Sequence, residues 1–280
     1  MNKTRKQELR EYFKNNKIKY FHDLLNDKFY DDIVFRRKDK GYYVEIGALD
    51  GQTHSQTIHF EHIKNWDGII VEPSPQQFDR ISENRGCNIC TNPISNVRET
   101  KQFVVRESLA YSHLEDIDIE YGPTEIIEKI EVETITLVDL LDKYKSPKVI
   151  DFVSIDTEGY ELRILEKYFE ENTKYKINLI SIEHSNEANA WTFFKDKPYV
   201  EIVNPYLNFI KASDIGTIRL DINDNNFYNA AGDLYEGDTT DIKNIMWEHY
   251  YVHIDFLKEN VHLKDYIIYN ANHQSNQVFN

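Results

Sequence analysis

The stretch Ile150–Leu162, IDFVSIDTEGYEL, decides the fold class. Its apolar run Phe152–Ile155 predicts a buried strand, and Tyr160–Phe169, which follows, has the apolar spacing of a helix. Asp156, Glu158 and a glycine lie between the two. Carboxylates at the end of a buried strand must be solvated or paired. This strand end is therefore expected to face water, a cofactor, a metal or a substrate hydroxyl.

Short apolar strands alternate with helices along most of the chain. Strands are predicted at Tyr42–Ile46, Gly68–Val71, Cys87–Asn92, Val149–Ile155 and Asn178–Glu183, and helices at Ser55–Lys64, Ser74–Asn84, Thr136–Tyr144 and Tyr160–Phe169. This order predicts an α/β fold with a parallel sheet covered on both faces. Residues 106–132 are expected to form an irregular, acidic surface insertion, and residues 241–258 a helix.

No linker divides the 280 residues, so we expect a single domain. It would comprise a helical N-terminal arm (1–40), a core (41–190) and a C-terminal part (191–280) that supplies acceptor-site or oligomer contacts. The absence of a long apolar run predicts no transmembrane segment, and no apolar signal core is present at the N-terminus. Cys87 and Cys90 are expected to be reduced thiols, and the protein to be cytoplasmic.

The formal net charge of −15 argues against nucleic acid as the main partner, because nucleic-acid binders present basic surfaces. The charge is uneven, since residues 1–20 carry seven basic and two acidic side chains. This basic segment predicts a solvated amphipathic helix. A docking arm for an acidic partner or a phosphorylated substrate is the alternative.

Two glycine- and proline-containing turns follow the first two predicted strands. VEIGALDG (44–51) lacks the G-x-G-x-x-G pattern, so the dinucleotide fingerprint fails. Its acids Glu45 and Asp50 would repel a pyrophosphate and favour a cationic ligand, and its glycines Gly47 and Gly51 allow close approach to the backbone. Glu72, in GIIVEPSP (68–75), stands where a doubly wound fold binds ribose hydroxyls. A nucleoside with a positive, non-phosphate tail is implied, which S-adenosylmethionine (SAM) satisfies and NAD does not.

The ordered motifs around these turns resemble the FkbM family of SAM-dependent methyltransferases over about residues 41–190. They are GYYVEIGALDGQTHSQT (41–57), NWDGIIVEPSPQQFDRISENR (65–85), NPISN (92–96), TLVDLL (136–141), IDFVSIDTEGYELRIL (150–165) and ISIEHSN (180–186). The resemblance implies a class I, Rossmann-like methyltransferase fold with a mostly parallel central sheet, to which an N-terminal helical arm and a C-terminal extension are added. Leu49 stands where the family's GANDG motif has Asn.

The resemblance also assigns cofactor contacts. Glu45, Gly47 and Asp50, in the loop that Gly51 completes, would line the methionine end of SAM. Glu72 would hold the ribose. Asn92 and Ile94, after the third strand, would lie near the adenine.

Two further strand ends supply candidates for the chemistry. Asp156 ends the fourth strand of the core, and Glu183 and His184 end the fifth. Because ligand crevices lie at the carboxyl ends of parallel strands, we expect these side chains to face the acceptor. His184 is the candidate general base by intrinsic pKa, and Asp156 is the alternative. Glu158 is expected either to join them or to complement the helix N-terminus.

A metal is the alternative route to an activated hydroxyl. The same strand ends resemble those of metal-dependent catechol-type and sugar O-methyltransferases, where acids hold magnesium. That resemblance makes Asp156, Glu183 and His184 candidate ligands of Mg²⁺ or Mn²⁺. His249 and His253, spaced four residues apart, are expected to pack or to face solvent.

We therefore expect a SAM-dependent O-methyltransferase that acts on a sugar hydroxyl. The acceptor would be a nucleotide-linked sugar or a building block of a surface polysaccharide. Three alternatives stay open: an O-methyltransferase of a non-sugar natural product, a non-catalytic SAM-fold scaffold in glycan assembly, and a nucleic-acid methyltransferase, which the charge disfavours. A homo-oligomer is also open.

Overall fold

The computed structural model describes residues 3–15, 20–22, 25–117, 125–172, 174–183, 187–205, 210–212, 216–221, 226–229 and 248–267. The helices are α1 (Lys3–Asn15), α2 (Asn26–Phe29, continued by a π-helical turn Tyr30–Val34), α3 (Ile58–His62), α4 (Phe78–Asn84), α5 (Leu137–Lys143), α6 (Glu161–Glu171), α7 (Glu187–Phe194) and α8 (Ile254–Glu259). The strands are β1 (Tyr42–Ile46), β2 (Asp67–Val71), β3 (Asn88–Cys90), β4 (Thr100–Arg106), β5 (His113–Leu114), β6 (Ile126–Glu133), β7 (Val149–Ile155), β8 (Lys176–Glu183), β9 (Tyr199–Ile202), β10 (Ile210–Ala212), β11 (Gly216–Asp221), β12 (Asn226–Asn229) and β13 (Glu248–His253).

Seven strands form the central sheet in the order β3-β2-β1-β7-β8-β13-β9. The first five run parallel, and β13 pairs antiparallel with both β8 and β9. From β1 the chain proceeds to β2 and β3 on one side and later returns to β7 and β8 on the other. The carboxyl ends of β1 and β7 therefore flank the point where strand order reverses, which is where open α/β sheets bind ligands.

Alternate side chains of the strands pack on opposite faces, as a sheet buried on both sides requires. Tyr43, Ile70 and Phe152 pack on one face, with the π-helical turn, α3, α4 and α8. Val44 and Val153 pack on the other, with α5, α6, α7 and strand β4. The predicted α/β class, with a mostly parallel sheet and helices on both faces, is confirmed.

Local signals at two predicted helix starts have different outcomes. Thr136 caps α5 in a capping box: its side chain accepts from the amide of Asp139, whose carboxylate accepts from the amide of Thr136. Ser74 stands at the predicted cap position before Pro75, but its side chain makes no capping hydrogen bond and the turn it precedes, Pro75–Gln77, is 3₁₀.

The prediction that residues 106–132 form an irregular insertion is wrong over the described parts, 106–117 and 125–132. Strands β4, β5 and β6 form a three-stranded antiparallel sheet in the order β5-β4-β6. The charged side chains of β6, IIEKIEVE, hide an alternation in which Ile130 and Val132 pack on the core. We call this sheet the cover sheet, because it lies over the cleft described below.

The helix predicted for residues 241–258 is also wrong over its described part. Glu248–His253 is strand β13, and only Ile254–Glu259 is helical; residues 241–247 lie outside the described residues. Tyr250 and Val252 pack on one face of the central sheet and Tyr251 on the other. A strand that is buried on both faces has apolar residues at consecutive positions. The spacing of such a continuous apolar segment also fits a helix.

Two smaller predictions concern membrane spans and cysteines. Over the part of the chain that the structure describes, no helix has the length and apolar character needed to cross a membrane. Cys87 and Cys90 are buried, unbridged thiols, as expected.

Candidate active site

A cleft of about 1130 Å³ opens at the carboxyl ends of the parallel strands. Pockets for one small ligand commonly measure about 300–1,000 Å³, so this cleft has room for a cofactor and an acceptor. Among the predicted site residues, Glu45, Gly47, Glu72, Ile94, Asp156 and Glu183 line it. Asp50, Gly51 and Asn92 are absent from its lining, and His184 lies outside the described residues.

Gly47 brings the ends of β1 and β7 together. Its φ is +85°, and a Cβ built on it would lie 1.7 Å from the carbonyl oxygen of Asp156. The amide of Asp156 donates to the carbonyl of Ile46 over 2.9 Å. No residue with a side chain fits between these strand ends, so glycine is required for the floor of the cleft.

Glu72 presents a buried carboxylate at the end of β2. Its Oε2 accepts from the amide of Leu49 over 2.9 Å, and its Oε1 accepts from the amide of Ser74 over 2.8 Å. Burial raises the pKa of Glu72 to about 7. An ionised carboxylate has about four acceptor positions, so two remain for further donors such as a ribose diol.

Glu45 lines the cleft, but its carboxylate is occupied by donors of the protein. Oε2 accepts from Nη1 of Arg85 over 3.0 Å and from Oγ1 of Thr57 over 2.6 Å. Oε1 accepts from the amide of Gln56 over 2.8 Å. The buried guanidinium compensates the charge, so Glu45 offers a ligand less free negative charge than the sequence motif implies. Its predicted contact with SAM stays a prediction.

Asp50, Gly51 and Asn92 have contacts with neighbouring protein groups. Asp50 closes its own loop, because its carboxylate accepts from the amides of Gln52 and Thr53 over 2.9 and 2.7 Å. A Cβ on Gly51 would lie 2.7 Å from Cγ of Arg85. The Asn92 side-chain amide donates to the carbonyl of Glu133 over 2.9 Å. For these three residues the structure offers a packing or turn role.

Carboxyl groups gather on one side of the cleft, among them Asp156, Glu158, Glu183 and Glu248. Asp156 and Glu183 directly follow the register pair Ile155–Ile182 of β7 and β8, so their carboxyl groups are close enough to share a proton. Burial, together with the neighbouring carboxylates Glu183 and Glu158, raises the pKa of Asp156 well above its usual value. Burial and Glu183 raise the pKa values of Glu158 and Glu248 to about 8 each. These groups can therefore exchange protons near neutral pH.

Glu161, the first residue of α6, binds the loop that precedes the helix, because its Oε1 accepts from the amides of Thr157 and Gly159 over 2.8 and 3.0 Å. That Glu158 complements the start of α6 stays a prediction. Glu158 itself has a φ of +57° and lines the cleft. A side chain in the left-handed region at a ligand cleft is a common mark of function.

The predicted metal ligands do not assemble a metal centre among these residues. The carboxyl groups of Asp156 and Glu183 interact with each other. His184 lies outside the described residues. Within the described ranges, no group of three or more His, Cys, Asp or Glu side chains is arranged to hold a metal ion. The candidate divalent cation is therefore without support from the geometry.

The cover sheet and the turns on either side of β5 form the opposite wall. The apolar and aromatic side chains of Phe103, Leu109, Tyr111 and Ile117 line the cleft there, together with the polar residues Ser112, His113 and Asp116. A Cβ on Gly159, in the loop after β7, would lie 2.9 Å from Cγ2 of Ile117, so the two walls touch there. The cleft thus has one acidic wall and one apolar, partly aromatic wall.

Glu248 and His22 are among the polar residues of the cleft that sequence reasoning missed. Glu248 is the register partner of Glu183 in the β13–β8 pair. No local motif marks either residue, and only the antiparallel placement of β13 brings Glu248 to the site.

The chain was compared with protein families, curated proteins and solved structures. The FkbM methyltransferase domain matches residues 45–256. No curated protein matches the chain. A crystal structure of a precorrin-6y C5,15-methyltransferase from Geobacter metallireducens GS-15 is similar over 81% of this chain and 85% of its own, at 12% identity and a TM-score of 0.37.

Proposed function

The chain belongs to the FkbM methyltransferase family, and from this premise we propose that it transfers the methyl group of SAM to a hydroxyl of a sugar. Bound SAM would supply an activated methyl group on a positively charged sulfur. The residues of this chain would bind it, orient the acceptor and take up the hydroxyl proton.

The half of the cleft around Gly47 and Glu72 suits SAM. The two acceptor positions left on Glu72 match the two ribose hydroxyls, and each charge-assisted hydrogen bond contributes about 1.5–3 kcal/mol. Pro73, Pro93 and Ile94 add apolar surface beside it, which fits a purine ring.

The observation that supports hydroxyl methylation is the placement of Asp156 and Glu183 side by side at the ends of β7 and β8, where both line the cleft. An alcohol becomes a good nucleophile only as its proton leaves. In such a pair one carboxyl holds a proton, and the ionised partner can take up the hydroxyl proton; general bases commonly contribute 10²- to 10⁴-fold in rate. Glu158 and Glu248 offer further acceptors for neighbouring hydroxyls.

The two unlike walls support a sugar as the acceptor. A sugar has a ring of hydroxyl groups and an apolar face of C–H groups. The acidic wall would accept hydrogen bonds from the hydroxyls, and Tyr111 and Leu109 of the cover sheet would pack on the C–H face. Whether the sugar is nucleotide-linked or part of a polysaccharide is a question for the acceptor panel.

The test is methyl transfer from labelled SAM to a panel of free and nucleotide-linked hexoses, with and without EDTA. We expect incorporation into at least one hexose. Asp156→Asn should lower kcat about 100-fold or more while SAM still binds. Asp67→Asn, an exposed residue at the start of β2, is the matched control and should be unaffected.

Three results would change this account. SAM binding without transfer to any hexose would overturn the sugar assignment. Full activity of Asp156→Asn would remove that residue as the base. Activity lost in EDTA and regained with Mg²⁺ or Mn²⁺ would restore the divalent cation as a cofactor.

A further inference from the structure

The N-terminal arm reaches the acceptor side of the cleft although it precedes the matched domain, which starts at residue 45. His22 belongs to that arm, is 8% exposed and lines the cleft. Its Nε2 lies 3.5 Å from Oε1 of Glu248. An imidazole ring is thereby added to the carboxyl groups on the acidic wall.

A buried aspartate holds the arm where His22 enters the cleft. Asp27 is fully buried, and its carboxylate accepts from the backbone amides of Phe21, over 2.6 Å, and of His22. The amide of Leu25 donates to the carbonyl of His22 over 2.9 Å. The amide and the carbonyl of His22 are therefore both hydrogen-bonded, which limits the positions that its ring can take.

Stacked rings attach the same arm to α3. Phe13 of α1 stacks on His62 with ring centroids 4.6 Å apart, and Tyr20 stacks on His59 at 4.7 Å. These contacts seat the described arm residues against the body of the protein.

The partner of His22 is itself fixed. Nε2 of Gln56 donates to both carboxylate oxygens of Glu248 over 2.8 and 3.0 Å, and Oγ of Ser181 donates to Oε2 over 2.9 Å. Glu248 in turn sits across from Glu183, which lies beside Asp156 at the ends of β7 and β8. His22 therefore lies at the end of a row of polar groups that leads to the proposed base.

We propose that His22 is an acceptor-binding residue: with Glu248 it hydrogen-bonds a hydroxyl of the acceptor and so helps to determine which sugar is methylated. The proposal rests on the proposed function, because it names a further contact to the same acceptor. It assigns His22 no contact with SAM, which would lie on the Gly47 and Glu72 side.

The experiment compares His22→Ala and His22→Gln with a matched control on the same arm, Lys14→Gln, whose side chain is exposed. We expect His22→Ala to raise the KM for the methylated hexose about tenfold or more, which corresponds to about 1.4 kcal/mol. The affinity for SAM, measured by calorimetry, should not change. Gln, which offers a hydrogen-bonding amide, should recover part of the loss, and the control should behave as the wild type.

An unchanged hexose KM in a folded His22→Ala variant would overturn the proposal, as would equal weakening of SAM and hexose binding. Thermal unfolding of each variant identifies one that fails to fold, and His22→Gln then decides by the same two readouts.

A second measurement does not depend on turnover. In protein labelled with ¹³C-histidine and saturated with S-adenosylhomocysteine, glucose or UDP-glucose should shift the ring signals of His22, identified by their loss in His22→Gln. Unmoved signals would overturn the proposal. Shifted signals without methyl transfer to any hexose would support His22 as a sugar contact while the proposed methylation fails.

Discussion

Gly47 tolerates no side chain for two separate reasons, a φ of +85° and the carbonyl of Asp156 at 1.7 Å from a built Cβ. We therefore predict that Gly47→Ala disrupts the cleft floor, lowers the melting temperature markedly and abolishes SAM binding. Gly159→Ala is the matched control: its φ is +113°, but its Cβ would meet only the end of the Ile117 side chain, at 2.9 Å. Thermal unfolding and calorimetry should show the smaller loss for Gly159→Ala, and equal losses would contradict the packing argument.

Glu158 should weaken the fold at alkaline pH. Its pKa is about 8 in the folded protein against an ordinary value of 4.5. Between these pH values the folded state holds a proton that the unfolded state has lost, so stability from this group is present below about pH 4.5 and is lost as pH rises to about 8. We predict that Glu158→Gln raises the melting temperature at pH 9 and leaves it unchanged at pH 4.

The control for that prediction is Glu166→Gln, an exposed position on α6, which should show no pH-dependent difference. A Glu158→Gln variant whose stability follows the wild type at every pH would show that this carboxyl is not held protonated in the fold.

Individual site residues differ in how far the sequence could reveal them. Glu72 and Asp156 stand directly after buried strands, and strand ends of a parallel sheet meet at one edge, so both could be predicted as cleft residues. Asp50 looked equivalent, yet its short side chain bonds to its own loop. For Glu158 the sequence left two roles open, one at the helix start and one in the cleft. The carboxylate that accepts from the amides just before α6 is that of Glu161.

At the scale of elements, one buried arginine joins the loop after β1 to α3 and α4. Arg85 donates to Glu61 over 2.8 Å, to Glu45 over 3.0 Å and to the carbonyl of Gly51 over 3.0 Å. Despite burial, which alone would raise it, the pKa of Glu61 falls to about 2 chiefly because of the Arg85 charge. This network supports one side of the cleft without contacting the proposed chemistry.

We predict that Arg85→Met destabilises the protein by about 3–5 kcal/mol at neutral pH, because it leaves two buried carboxylates unpaired. Arg98→Met is the control: Arg98 also pairs with two acids, Asp139 and Glu171, but its side chain is 50% exposed. Its loss should cost about 1 kcal/mol or less. Urea unfolding of both variants gives the comparison, and similar costs would contradict the account.

Tyr160 links the start of α6 to the cover sheet. Its hydroxyl donates to Asp116 and accepts from Nζ of Lys101 over 3.0 Å. Because these partners are partly exposed, we predict that Tyr160→Phe changes stability by about 1 kcal/mol or less but raises the KM for the acceptor hexose by loosening the apolar wall. Lys129→Ala, which removes the pair with Glu115 on the same sheet, should leave the KM unchanged; a KM that rises equally in both variants would argue against a specific link.

Strands and helices could be predicted where burial determines the residue pattern. They were missed where surface charge hides the pattern or where pairing with distant strands determines the structure. The strands of the central parallel sheet are buried on both faces. They therefore form mainly apolar segments such as IDFVSI, without a regular alternation of apolar and polar residues. The cover sheet faces solvent on one side, so its charges suggested an irregular insertion. Strand β13 follows a different rule, because its place in the sheet depends on pairing with β8 and β9, both distant in sequence.

Over the whole molecule, the fold collects the cleft from segments that are far apart in sequence. His22, Glu45, Glu72, Asp156, Glu183 and Glu248 come from six separate elements. The net charge of −15 argued only against nucleic acid as the main partner. The concentration of carboxyl groups on one wall is a property of the topology, and it could not be predicted from spacing along the chain.

The central claim is that this cleft binds SAM through Glu72, and calorimetric titration of SAM tests it most directly. We predict one site per chain, affinity about tenfold or more weaker in Glu72→Gln because a charge-assisted hydrogen bond is lost, and no change in the exposed control Glu83→Gln. Affinity should also rise from pH 6 to pH 8 in the wild type, as Glu72 ionises around its pKa of about 7. Absence of SAM binding, or equal affinity in Glu72→Gln and the wild type, would contradict the account.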